Sequence, residues 1–111
     1  MRRYFYHASP VENIDSILAY GLHAGTDGFV HLTTNQDIAI YCVHIRWYFY
    51  RRCSAIALFR VDSAGLCVQP CAEDALFFED CYVHSGNIPK HKIAFLRTTQ
   101  VARITLGSFD I

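Results

Sequence analysis

Three short stretches of the chain bring together side chains that do chemistry. Tyr6-His7-Ala8-Ser9 sets an imidazole and a hydroxyl just ahead of a helix start. Gly28-Phe29-Val30-His31-Leu32-Thr33-Thr34 carries a second histidine and two hydroxyls, and leads into a helical pattern that holds Tyr41. Glu79-Asp80-Cys81-Tyr82-Val83-His84 opens on two carboxylates. A hydroxyl and an imidazole beside a helix N-terminus suit a ribose or a phosphate, because the first N–H groups of a helix carry partial positive charge and have no intrahelical partner. Tyr41 offers a flat face to an aromatic ring. A carboxylate at Asp80 or Glu79 suits the stabilisation of a developing cation or the polarisation of a sugar hydroxyl. Adjacent strand residues face opposite ways, so at most one of that pair points into a given pocket. Each stretch also has a plainer reading. His7 and His31 are then hydrogen-bonded strand histidines, Tyr41 is core, and Glu79 and Asp80 begin a solvated strand. The sequence holds no P-loop, no GxGxxG and no suggestive Ser-His-Asp or Cys-His spacing.

The elements that must position these residues follow from pattern. Arg3 to His7 alternates aromatic side chains and predicts a first strand. Ser9, Pro10 and Glu12 match a helix start with an N-cap, a proline at the first helical position and a capping box. Val11, Ile14, Ile17 and Leu18 mark one face of that helix, and Gly21 stops it. Phe29 to Leu32 predicts a short strand. Thr33 and Thr34 offer caps for a long helix from about Asn35 to Arg52, with Ile38, Tyr41, Cys42, Ile45, Tyr48 and Phe49 as its apolar face. The rest predicts strands at Ala55–Val61, weakly at Leu66–Val68, then at Leu76–His84, Ile93–Thr98 and Val101–Leu106. Asp62–Gly65 and Gly86-Asn87 are turns, and Pro70–Asp74 is a loop. Two early helices followed by late strands give the α+β class, in one domain over residues 1–111.

Composition narrows the function. Hydrophobic residues are 52% of the 111, enough for a real core, and ten basic residues balance ten acidic ones. Zero net charge supplies no general attraction to nucleic acid or anionic membrane, although Arg46, Arg51, Arg52 and Arg60 lie close in sequence. No apolar run reaches the ~20 residues of a membrane span, and the polar N-terminal residues predict no export signal. A cytoplasmic protein with reduced thiols is expected from the odd set Cys42, Cys53, Cys67, Cys71 and Cys81, which contains no CxxC pair. Cys67 and Cys71 with His84 and His91 fit no familiar zinc spacing, so the sequence predicts no metal site.

Taken in order, the motifs resemble the ADP-ribosyltransferase superfamily. That family has a first strand ending in Tyr-His-Gly-Thr, a helix closed by Gly-Leu, and a strand of Gly-Ile-Tyr or Val-His-Leu type. A helix with Ala and Tyr follows, and later a strand led by an acidic residue. Here these are Tyr6-His7-Ala8-Ser9, Gly21-Leu22, Gly28 to Thr33, Ala39-Ile40-Tyr41 and Asp80-Cys81-Tyr82-Val83. Ile88-Pro89 followed by Ile93 is similar to the segment that closes the fold. Val-His-Leu-Thr-Thr is similar to the catalytic lobe of RNA 2′-phosphotransferases, whose additional N-terminal lobe is not expected here, and to short bacterial proteins of unknown function. The resemblance implies a split β-sheet core and NAD as co-substrate. It implies that His7, Ser9 and Thr33 hold NAD, with His7 and Ser9 on the ribose and nicotinamide amide. Tyr41 would stack on the nicotinamide, and His31 would line its pocket. Asp80, with Glu79 beside it, stands at the catalytic glutamate. Aspartate is one methylene shorter, and Ala8 replaces the family's glycine.

The expected function is therefore an NAD-dependent ADP-ribosyltransferase-type enzyme acting on a nucleic acid or protein acceptor. The alternatives are a non-catalytic NAD- or ADP-ribose-binding module, and a partner-binding protein on the same fold. The run Trp47-Tyr48-Phe49-Tyr50 motivates the last, with a homo-oligomer as one form, because four adjacent aromatics cannot share one core.

Overall fold

A computed structural model describes residues 3–48, 55–71 and 80–100. Six strands and two helices follow one another there: β1 Tyr4–Pro10, α1 Ile14–Tyr20, β2 Phe29–Leu32, α2 Gln36–Tyr48, β3 Ala55–Asp62, β4 Val68–Pro70, β5 Tyr82–Ser85 and β6 Ile93–Gln100. The strands form two antiparallel three-stranded sheets, β1-β3-β6 and β2-β5-β4. The class is α+β, with both helices in the N-terminal half and a split sheet.

Alternation along β1 and β3 gives the first sheet two apolar faces. Tyr6, Ala8, Ile56 and Leu58 point one way and meet Ala39, Ile40 and Val43 of α2. Phe5, Ala57, Phe59 and Val61 point the other way and join Ile17 of α1, Val30 and Leu32 of β2, Leu22 and Ile88. That second cluster is the core between the two sheets. The Phe5 ring meets Tyr82 of β5 edge-on at 5.1 Å, tying one sheet to the other. β3 is central and buried on both faces, as its near-continuous apolar run requires.

Several elements depart from the sequence reading. β1 continues through Pro10, because Ser9 pairs with Ala57 and Pro10 with Ile56. Ser9 is consequently a strand residue and not an N-cap. A 3-10 turn at Val11–Asn13 precedes α1, and neither Pro10 nor Asn13 makes a side-chain cap bond. The cap of α2 is Asn35, not Thr33 or Thr34. Its Oδ1 accepts the N–H groups of Asp37 at 2.9 Å and Ile38 at 3.1 Å. The buried face of α2 is Ala39, Ile40 and Val43, while Tyr41 and Cys42 are exposed. Residues 38–43 are apolar nearly all round, so periodicity could not choose the face, and the small Ala39 allows close approach to β1. Pairing expected at Leu66–Val68 occurs two residues later, in β4.

Other expectations hold. β2 has the predicted bounds. Gly21 ends α1 at φ 87°, where its N–H donates to Ile17 at 2.8 Å. A Cβ there would lie 2.2 Å from the Ile88 carbonyl oxygen, so only glycine fits. Leu22 and Ile88 then exchange two backbone hydrogen bonds of 3.0 and 2.8 Å, which ties the segment before β6 to the chain just after α1. Glu79, the first part of the Leu76–His84 strand, Phe49, Tyr50 and the Val101–Leu106 strand lie outside the described residues, as do the side chains of Ile45, Trp47 and Tyr48. Among the described residues no helix is long and apolar enough to cross a membrane.

Candidate functional site

Among the described residues one backbone bridge, Tyr6–Thr33, links the two sheets, and candidate residues gather around it. Tyr6 N–H donates to Thr33 O at 2.7 Å and Thr33 N–H returns the bond at 3.1 Å. With Tyr6 and Ala8 facing α2, His7 takes the opposite face of β1, toward β2. Its Nδ1 lies 2.8 Å from the His31 carbonyl oxygen. A carbonyl only accepts, so Nδ1 carries the proton, and Nε2 of the neutral ring is the acceptor. One backbone carbonyl thus fixes both the tautomer and the tilt of the imidazole.

His31 is held by a partner that sequence reasoning missed. Its Nε2 lies 2.7 Å from Oδ2 of Asp27. The other oxygen of Asp27 accepts Phe29 N–H at 3.0 Å, an Asx turn that delivers the chain into β2. Gly28 supports the turn at φ 85°. The hydrogen bond from His31 comes first, and that from Phe29 second, in holding the Asp27 carboxyl below its usual range. The Asp-Gly pair ahead of a strand was the available signal for this turn.

Asp80 lies at the start of α2 and close to the bridge. Its Oδ1 accepts Thr34 N–H at 2.9 Å and its Oδ2 accepts the Thr34 hydroxyl at 2.5 Å. Thr33 Oγ1 accepts Asn35 N–H at 3.1 Å, which completes the turn from β2 into α2. The structure therefore brings His7, the His31 carbonyl, Thr33 and Asp80 onto one seam, with Thr34 as the unforeseen anchor of Asp80, while the His31 ring turns to Asp27. Ser9 is buried on the His7 face of β1, where its Oγ accepts from Asn13 Nδ2 at 2.9 Å. Tyr41 stands elsewhere: it is 50% exposed, on the helix that covers the other face of the first sheet.

No family model and no curated protein matches the chain. Among solved structures, one named EcPltA superposes with a TM-score of 0.58 over 91% of this chain and 86% of its own, at 13% identity. At that identity the likeness is one of fold.

Proposed function

We propose that the chain is an ADP-ribosyltransferase-type enzyme that binds NAD at the seam between its sheets. The observation that carries this reading is the convergence of three sequence motifs there: His7 against the His31 carbonyl, Thr33 bridged to Tyr6, and Asp80 bonded to Thr34. The split sheet agrees with the fold expected of that family. In this reading His7, its tautomer set by β2, binds a ribose hydroxyl, while Tyr41, across the first sheet, lies apart from the nicotinamide. The C1′–N bond of NAD breaks with its electron pair leaving on nicotinamide. Asp80 stabilises the positive charge that grows on the ribose, and a lone pair from a nucleic acid or protein acceptor forms the new bond to C1′. None of the four described cysteines is joined in a disulfide, in keeping with a reducing cytoplasm.

Calorimetric titration with NAD tests the site. Saturable binding that weakens about tenfold in His7→Ala, the effect of losing one good hydrogen bond, supports it. No binding at millimolar NAD overturns it. A second reading rests on Asp80, both of whose oxygens already serve Thr34. It makes the chain a binding module, and predicts NAD binding without release of nicotinamide.

A further inference from the structure

We propose that His31, Cys71 and Cys81 form a three-ligand binding site for a thiophilic divalent cation, of which zinc is the natural choice. The proposal is independent of NAD. It starts from strand register. His31 pairs with Val83, and Val83 pairs with Gln69. Directly opposed residues share a face, and so do residues two apart along a strand. Cys81, two before Val83, and Cys71, two after Gln69, therefore join His31 on one face of the second sheet. Cys71 N–H donates to the Cys81 carbonyl at 2.9 Å and carries the ladder past the Pro70–Tyr82 pair. Val30, Leu32, Val68 and Tyr82 take the opposite face and face the core.

The outcome is a half-buried imidazole and two half-buried thiols whose ligand atoms all lie within 4.8 Å of one another. Tetrahedral zinc with sulfur at ~2.3 Å and nitrogen at ~2.0 Å spaces its donors roughly 3.5–3.8 Å apart. Closing the set needs movements of about 1 Å, within the reach of side-chain torsions. Two thiolates also neutralise a divalent charge, which a half-buried position favours.

A second feature points the same way. Asp27 Oδ2 sits 2.7 Å from His31 Nε2. A carboxylate that accepts from one nitrogen of a metal-bound histidine fixes the ring and raises the basicity of the other nitrogen. With Nε2 kept on Asp27, the metal falls to Nδ1. Three protein ligands leave a fourth tetrahedral position to water or an incoming donor, the arrangement of reactive rather than purely structural zinc sites.

Cobalt(II) serves as the probe, because thiolate-bound tetrahedral cobalt absorbs in both the near ultraviolet and the visible. The full chain, reduced and freed of metal, is titrated with cobalt and then with zinc. We expect one cobalt per chain with thiolate charge-transfer bands, displaced by one zinc. Cys71→Ser and Cys81→Ser should each weaken binding at least 100-fold. A variant with Cys42, Cys53 and Cys67 all changed to Ser should bind as before. Asp27→Asn should keep the bands and weaken binding about 10- to 100-fold. Absence of the bands at micromolar cobalt in a chain folded by circular dichroism overturns the proposal. So does binding that survives loss of both Cys71 and Cys81. The first result needs no variant to fold.

Discussion

Replacing Gly21 by alanine tests the closure of the fold, because the structure makes the cost unusual for so small a change. Gly21 has φ 87° and ψ −173°, a region essentially reserved to glycine; holding another residue there costs on the order of 1–3 kcal/mol. The new methyl would also lie 2.2 Å from the Ile88 oxygen and 3.0 Å from Lys90 N, both backbone atoms that cannot rotate away. The Ile88–Lys90 segment must shift. That strains the two Leu22–Ile88 hydrogen bonds, about 1 kcal/mol each. It also loosens Ile88, which is fully buried and contributes about 2 kcal/mol through burial. Together these place Gly21→Ala at about 4 kcal/mol or more, a large share of the 5–15 kcal/mol typical of a domain. Gly65→Ala is the control. It has φ 79° but meets only the tip of Lys92 at 3.9 Å, so conformation alone should cost it about 1–2 kcal/mol. Urea unfolding of both variants measures the difference. Equal losses within about 0.5 kcal/mol would refute the close approach of Gly21 to Ile88 and the closure built on it.

Two other outcomes follow from the seam and the sheet edge. Asp80→Ala should destabilise by about 2–3 kcal/mol, because it leaves the Thr34 N–H and hydroxyl without their charged acceptor. A double-mutant cycle with Thr34→Val should be non-additive, and strict additivity would break the assigned pairing. At the start of β1, Arg3 grips Asp62 through two bonds of 3.1 and 3.0 Å. The Arg3 hydrogen bond first, with that from Ala64 N–H, lowers the Asp62 carboxyl to about 2. An unfolded aspartate titrates near 3.9, so this contribution is complete above that value and is lost as pH falls through about 2. A carboxyl titration by NMR should find Asp62 ionised at pH 3, and Asp62→Asn should flatten that part of the acid limb. A midpoint near 4 would show that the Arg3 grip is absent in solution.

Much of the fold was legible because its signals were local. The Phe29–Leu32 alternation, the stop at Gly21, the turn at Gly86 and the apolar run of β3 each follow from a few neighbouring residues, and each appears where expected. What misled was local chemistry overruled by partners distant in sequence. Ser9-Pro10-Val11-Glu12 has every mark of a capping box, yet β3 recruits Ser9 and Pro10 into a ladder whose bonds outweigh one cap. The α2 face was illegible for the opposite reason, since 38–43 offers too many apolar residues to distinguish a stripe. Of the residues named from motif order, His7, Thr33, Asp80 and the His31 backbone lie along the seam, while Tyr41 does not. Asp27, the Thr34–Asp80 bond and the Cys71–Cys81 pair were not foreseen. The Asp27–His31 bond is local and was signalled by the Asp-Gly pair, whereas Thr34 meets Asp80, and Cys71 meets Cys81, only through the pairing of distant segments.

The Tyr6–Thr33 bridge has a consequence for how such a protein can diverge. Its two bonds are wholly main chain, and so is the carbonyl of His31 that orients His7. Substitution rewrites side chains and leaves these atoms in place, proline excepted. The frame that aims the site is therefore largely insulated from drift, while the groups hung on it are free to be exchanged. A shared architecture at 13% identity with EcPltA is what such insulation permits. The same frame can pass from one chemistry to another by changing a few side chains along the seam, with no need to refold.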